Sequence, residues 1–224
     1  MIKLFQIRNK YDYSLKSLLK TIGLVTLLSS WSVELHAMDH YAENNKEGIN
    51  ILSLGGGGVR MLTELKFLSE VEKEAEIQVK EYVPIARIFR LIGGTSAGGV
   101  AAALLTQPDY SGVWPLYTAT QAVKIYRSEL SSIFQPQFSL WGLLRSQYKN
   151  SGPENAAKKF FGESTFDKTL AKRMIFSFDL ESNQTIIFKS WKEDSKKFKT
   201  ADIVVGTGAA PIYFNPHEVS STDG

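Results

Sequence analysis

The chain has 224 residues, of which 43% are hydrophobic and 22% charged, so it can bury a sizeable core and is expected to form one globular domain. Its net charge of +3 is too small to indicate a nucleic-acid partner. The sequence has no cysteine, which excludes disulfides, thiolate zinc sites and a cysteine nucleophile, and leaves the cellular compartment open.

The N-terminal segment is typical of a secretory signal peptide. Residues 1–20 carry five basic side chains and one acidic side chain, and an apolar stretch of 11 residues follows at 21–31. That stretch is too short to span a bilayer as a helix, because a span takes about 20 residues. The pattern predicts cleavage after Ala37, although Leu35 is larger than the small residue usual at that position.

These features predict a signal peptide at 1–37 and a polar linker at 38–48. We therefore expect the protein to be exported, either to a periplasm or out of the cell. The alternative is an N-terminal amphipathic helix that the protein retains in the cytoplasm.

A strand followed by a glycine loop begins the globular part of the chain. Residues 49–54 have strand character and lead into four consecutive glycines, 55–58. Apolar residues then recur at helical spacing, at positions 62, 65, 68 and 71. Such a loop can turn its backbone N–H groups towards an oxyanion, which is what an acyl-transfer site needs.

A second strand, turn and helix follow around Ser96. Gly94-Thr95-Ser96-Ala97-Gly98 fits the G-x-S-x-G nucleophile elbow, in which a sharp strand-to-helix turn projects the serine hydroxyl clear of the backbone. Gly94 and Gly98 leave this turn uncrowded. The pentapeptide alone is equally consistent with a glycine-rich turn before a buried helix. The two strand–loop–helix units together predict the oxyanion hole and the nucleophile of a serine hydrolase.

The rest of the chain predicts further helices and a hairpin. Helices are predicted at 113–127, 151–161 and 200–207, strands at 174–178 and 185–188, and a solvated lysine-rich loop at 191–199. Asp179 is expected to be a turn residue. The segment 134–148 is apolar without clear periodicity, and it either lines a lipid-accepting groove or packs as ordinary core.

Five separated segments resemble those of patatin-like phospholipases in order and spacing: LSLGGGGVR, PIARIFRLIGGTSAGG, FDLE…FKSW, GAAPIYFNPH and a closing Asp-Gly. The resemblance covers residues 49–224. It implies an α/β fold, a three-layer α/β/α sandwich with a mostly parallel central sheet. It also implies a lipid acyl hydrolase that uses a Ser–Asp dyad and an acyl-enzyme, acts on lipid esters at a membrane or micelle surface, and needs no cofactor or metal.

The resemblance also implies roles for individual residues. The nucleophile falls on Ser96 and the dyad aspartate on Asp223. The oxyanion hole falls on Gly56, Gly57 and Gly58. Gly94 and Gly98 support the elbow, and Arg60 follows the glycine loop as an anchor for it or as an added positive charge.

Three positions depart from the family pattern. Gly55 stands where the family usually has aspartate, Met61 stands where it usually has glycine, and Asp223 is the penultimate residue. We therefore expect a domain that is incomplete at its C-terminus and weakly active or inactive as it stands.

Two alternative functions remain open at this point. An α/β-hydrolase triad would need His217 with an acid such as Asp179 or Asp202, because His36 and His40 precede the domain. The second alternative is not an enzyme: it is a patatin-like scaffold that binds lipid or a partner without turnover. A dinucleotide-binding loop is disfavoured, because Met61 replaces the last small residue of that fingerprint.

Overall fold

The computed structural model describes residues 3–6, 49–133, 148, 150–211 and 213–222. Within these residues a five-stranded sheet has the strand order β1-β2-β3-β4-β5. The strands are β1 Lys3–Gln6, β2 Asn50–Leu54, β3 Leu91–Thr95, β4 Lys172–Asp179 and β5 Gln184–Lys189. The central strands β2, β3 and β4 run parallel, and the two edge strands are antiparallel to their neighbours.

The helices are α1 Met61–Val79, α2 Ile85–Ile88, α3 Ala97–Thr106, α4 Ala119–Ile133, α5 Ser151–Phe161, α6 Glu193–Lys196 and α7 Thr200–Gly208, and a 3₁₀ turn, Gly58–Arg60, precedes α1. The predicted hairpin is present as β4 and β5, and the predicted helix before Gly162 is present as α5. Within the described parts of the chain, no helix is both long enough and apolar enough to cross a bilayer.

One face of the sheet carries the core. Leu52, Ile92 and Ile175 on this face are fully buried beneath α3, a helix made almost entirely of small and apolar residues. Helices α1 and α7 flank α3, and α4 and α5 complete this layer. On the opposite face, Met174 and Phe176 are half-exposed. The α/β class and the mostly parallel sheet are confirmed, and the described residues show the helical layer on the face of Ile92.

The edge strand β1 lies inside the predicted signal peptide. Its residues pair with β2, from Lys3 opposite Ser53 to Gln6 opposite Asn50. Cleavage after Ala37 would therefore remove one edge strand and leave the three parallel strands intact. The rest of the predicted signal peptide, the linker at 38–48 and the apolar segment 134–147 lie outside the described residues.

The helix predicted at 113–127 begins only at Ala119. Thr118 and Gln121 form a reciprocal capping pair: the Gln121 N–H donates to Thr118 Oγ1 at 3.1 Å, and the Thr118 N–H donates to Gln121 Oε1 at 2.8 Å. Before this cap, the chain makes a turn in which Pro108 pairs with Pro115. The helix starts later than predicted because this capping pair and the Pro108–Pro115 turn before it set its first residue.

The charged second half of α1 contains one buried carboxylate. Glu72 is only 5% exposed, and it accepts the N–H groups of Ile85 at 3.1 Å and of Ala119 at 2.7 Å. These residues are the first of α2 and α4, whose N–H groups have no partner within their own helices. Burial raises the pKa of Glu72 above its usual value. One side chain therefore joins α1 to two helix starts.

Replacing Glu72 by glutamine should destabilise the protein by about 1–3 kcal/mol, because the amide keeps one acceptor oxygen and turns a donor towards the other buried N–H. Urea unfolding monitored by circular dichroism measures this loss. Glu70→Gln on the same helix is the control, because Glu70 forms an exposed pair with Lys73 and should change stability by less than about 0.5 kcal/mol. Equal effects of the two changes would contradict this role of Glu72.

Candidate active site

Ser96 lies at the turn between β3 and α3, where the sequence predicted the elbow. Its backbone has φ 53° and ψ −127°, a conformation that is rare for a residue with a side chain. The residue precedes the first turn of α3 and is half-buried. Its side chain therefore stands at the positive end of the helix and at the carboxyl edge of the parallel strands.

The two glycines of the elbow are required by contact between backbones. A Cβ on Gly94 would lie 2.5 Å from the carbonyl carbon of Gly98. A Cβ on Gly98 would press against the carbonyl oxygen of Leu54 and lie 2.8 Å from that of Gly55. Helix α3 thus packs directly on the ends of β2 and β3, and a side chain at either glycine would push it away.

The glycine loop lies beside the nucleophile. A Cβ on Gly56 would be 3.4 Å from the Cβ of Ser96 and 3.4 Å from the carbonyl oxygen of Thr95, so the loop lies close against the elbow. Gly57 has φ 146° and Gly58 has φ 55°, which residues with side chains rarely adopt. The structure therefore brings the predicted oxyanion loop and the predicted nucleophile together.

Arg60 ends the 3₁₀ turn that follows the loop. Its backbone N–H donates to the Gly57 carbonyl at 3.2 Å, and its side-chain carbons lie 3.6–3.7 Å from the point that a Gly57 Cβ would occupy. The guanidinium-bearing side chain is exposed. Of the two roles expected for Arg60, this packing favours that of an anchor for the loop.

Two hydroxyl groups that the sequence analysis missed hold the elbow and the glycine loop in place. The Ser96 N–H donates to Thr207 Oγ1 at 2.8 Å, and the Thr207 hydroxyl donates to the Phe176 carbonyl. The Tyr126 hydroxyl donates to the Gly58 carbonyl at 2.9 Å. Burial raises the pKa of Tyr126 to about 12, so this phenol remains a donor at neutral pH. Both residues lie in ordinary helical patterns, and no local signal marks them.

Ser96 and Gly58 line an apolar cleft of about 770 Å³, including the part open to solvent. Its walls come from α3, α4, α5 and α7, and include Val100, Leu104, Ile125, Leu130, Ala157, Phe160, Val204 and Val205. Among the described lining residues, Glu129 is the one charged side chain, and it pairs with Lys159 at 2.8 Å. The cleft therefore suits a hydrocarbon chain far better than a polar group.

His217 is not arranged to activate Ser96. Its Nε2 lies 3.3 Å from Asp202 Oδ1, and its Nδ1 lies 3.5 Å from Glu154 Oε1, so both ring nitrogens face carboxylates. Ser96 is hydrogen-bonded to Thr207. Thr207 lies five residues beyond Asp202, which is about 7.5 Å further along α7. The Asp202–His217 pair considered for a triad is present, but it joins α7 to α5 instead of reaching Ser96.

Asp179, predicted as a turn residue, is the last residue of β4, where it pairs with Gln184 of β5, and its side chain holds the turn that follows. Its carboxylate accepts the backbone N–H groups of Glu181 and Ser182 and the Ser182 hydroxyl, and that hydroxyl lowers the pKa of Asp179 more than the backbone bonds do. Asp223 lies outside the described residues. Within the described chain, no group of three or more His, Asp or Glu side chains is placed to hold a metal ion.

Replacing Gly98 by alanine should destabilise the protein by about 3 kcal/mol or more, because the new methyl group meets two backbone carbonyl oxygens that cannot rotate away. Thermal unfolding and the yield of soluble protein measure the effect. Gly208→Ala is the control, since a Cβ at that position meets no atom within 4 Å. A Gly98→Ala variant as stable as the control would show that α3 does not depend on this contact.

Comparison with known proteins agrees with this geometry. Residues 52–224 match the family model described as patatin-like phospholipase. Patatin-like proteins 4 and 1 from Arabidopsis thaliana are 37% and 36% identical to the chain over 78% of its length, covering 46% and 45% of their own lengths. Patatin-17 from Solanum cardiophyllum is 32% identical over 76% of the chain and 44% of its own length. The chain thus spans about half the length of these curated relatives, and it belongs to the patatin-like phospholipase family.

Proposed function

We propose that this protein hydrolyses carboxylic ester bonds in lipids, in the manner of a phospholipase A, through an acyl-enzyme on Ser96. One observation carries the proposal: Ser96 stands on a strained elbow, against the glycine loop and in the lining of an apolar cleft. Nucleophile, oxyanion donors and a site for the acyl chain are the three parts that ester cleavage requires.

In the proposed reaction, the Ser96 hydroxyl attacks the ester carbonyl and the loop of Gly56, Gly57 and Gly58 receives the negative charge that develops on oxygen. One such backbone donor contributes roughly 3–4 kcal/mol to stabilising the transition state. The helix start behind Ser96 adds positive potential at the same point. The loop therefore contributes as much to the chemistry as the nucleophile does.

The proposed base is Asp223, which would take the serine proton, pass it to the leaving alcohol and then activate water against the acyl-enzyme. An aspartate with an ordinary pKa of about 3.9 is a weak base, so its surroundings would have to raise that value or hold the carboxylate against the hydroxyl. Thr222, the last described residue before it, donates its N–H and its hydroxyl to the carbonyl of Lys197, which precedes the start of α7. Ser96, by contrast, is hydrogen-bonded to Thr207 in the last turn of that helix.

The proposed substrate is a lipid ester presented by a membrane or micelle. The apolar cleft favours an acyl chain, because each buried methylene contributes about 0.8 kcal/mol. Exposed apolar side chains also stand at the carboxyl edge of the sheet. Val59 follows the glycine loop, while Phe178 lies in the part of β4 that runs on past the end of β3. These side chains are suited to contact a lipid surface beside Ser96.

The proposal predicts that Ser96→Ala lowers hydrolysis of short-chain esters by at least about 10³-fold and abolishes labelling by a fluorophosphonate probe, while folding is unchanged. Esterase assays, probe labelling and circular dichroism measure these effects. Ser111→Ala, in the exposed turn after α3, is the matched control and should behave as wild type. Labelling that persists in Ser96→Ala would exclude Ser96 as the nucleophile. Lipid binding by a wild-type chain without any turnover would favour the scaffold alternative.

A second pair of variants separates the dyad from a triad. We expect Asp223→Ala to abolish activity, because it removes the proposed base. His217→Ala should change kcat only modestly, because that imidazole faces two carboxylates instead of Ser96. Steady-state kinetics on one short-chain ester measures both. A collapse of kcat on loss of His217, with Asp223 dispensable, would instead support the α/β-hydrolase mechanism.

A further inference from the structure

We propose that Thr207 is the positioning residue for the nucleophile, and that its hydroxyl sets where Ser96 stands. This inference rests on the proposed function of Ser96. Thr207 lies in the last turn of α7, far from Ser96 in sequence, and is 9% exposed. It is not among the described residues that line the cleft, and its hydroxyl is hydrogen-bonded to Ser96 and Phe176, so its role would be to act through Ser96.

The Thr207 hydroxyl connects two backbone groups at the end of the parallel sheet. Thr95 is the last residue of β3 that pairs with β4, and its partner there is Phe176. The chain then turns away at Ser96, so the Ser96 N–H has left the strand ladder. Thr207 Oγ1 accepts that N–H at 2.8 Å and donates its own hydrogen to the Phe176 carbonyl. One hydroxyl therefore acts as acceptor for the elbow and donor to the neighbouring strand.

The methyl group of Thr207 fixes the direction of this hydroxyl. A Cβ on Gly99 would lie 2.9 Å from Thr207 Cγ2, so the methyl occupies the space that the missing side chain leaves. Gly99, the second glycine after the elbow strand, thus has a function of its own, which is to leave room for Thr207. With the methyl seated against α3, the rotamer of Thr207 is set and Oγ1 points at the Ser96 N–H.

Two consequences for the chemistry follow. Ser96 has φ 53°, and such a conformation persists only when the surrounding structure fixes it, which the Thr207 bond does at the residue itself. The Ser96 N–H is also engaged by Thr207, so it is not available to bind the oxyanion. Helix α7 also contributes Val204 and Val205 to the cleft, so one helix positions the nucleophile and forms a wall for the acyl chain.

The test compares Thr207→Val, which keeps the shape and loses the hydroxyl, with Thr207→Ser, which keeps the hydroxyl and loses the methyl. We expect Thr207→Val to lower kcat and the rate of fluorophosphonate labelling by about tenfold to a hundredfold, with KM changed by less than about twofold, since a buried N–H and a buried carbonyl lose their partner. Thr207→Ser should recover most of kcat. Amide hydrogen exchange at Ser96 should be faster in Thr207→Val than in Thr207→Ser.

Three results would overturn the inference: wild-type kcat in Thr207→Val, equal loss in both variants, or a change in KM with kcat unaffected. If Thr207→Val does not fold, Thr207→Ala replaces it, because alanine and serine both lack the methyl and differ only by the hydroxyl. Amide exchange at Ser96 needs no turnover. A wild-type chain without serine-dependent activity would therefore defeat the proposed function, while unchanged exchange between the variants would defeat the role of Thr207.

Discussion

The approach of α3 to the sheet is the constraint on which the rest of the site depends. Gly98 lies against the carbonyl oxygens at the end of β2, and Gly94 lies against the backbone of Gly98. At this separation the chain has room for only one residue between strand and helix, and that residue is Ser96. Because the glycine loop starts from the same carbonyls, the contact that turns the nucleophile outwards also sets the loop beside it.

Hydrogen bonds from other helices then restrain the glycine loop and Ser96, whose conformations backbone packing alone does not fix. A glycine loop has more accessible conformations than any other, and Tyr126 from α4 restrains it through the Gly58 carbonyl. The strained serine is restrained through Thr207 from α7. The same two helices line the cleft, so the walls that would hold an acyl chain and the groups that hold the reacting parts belong to the same elements. Glu72 extends this coupling by joining the start of α4 to α1.

The features that the sequence predicted are those determined by residues close to one another in the chain. The elbow around Ser96, the glycine loop and the hairpin of β4 and β5 each have a short signal in which the residue types and the backbone conformation correspond. Thr207 and Glu72 could not be found this way, because their partners are backbone groups 111 and 47 residues away. The late start of α4 does have a local signal, which is the spacing of Thr118 and Gln121.

The most direct test of this account is a crystal structure of the 224-residue chain after reaction with a long-chain alkyl fluorophosphonate, whose tetrahedral phosphorus resembles the intermediate of ester cleavage. The account predicts phosphorus bonded to Ser96 Oγ and the phosphoryl oxygen about 3 Å from backbone N–H groups of the Gly56–Gly58 loop. It also predicts that the alkyl chain lies in the cleft between α4, α5 and α7. An unmodified Ser96, a phosphoryl oxygen turned away from the loop, or an alkyl chain outside the cleft would contradict it.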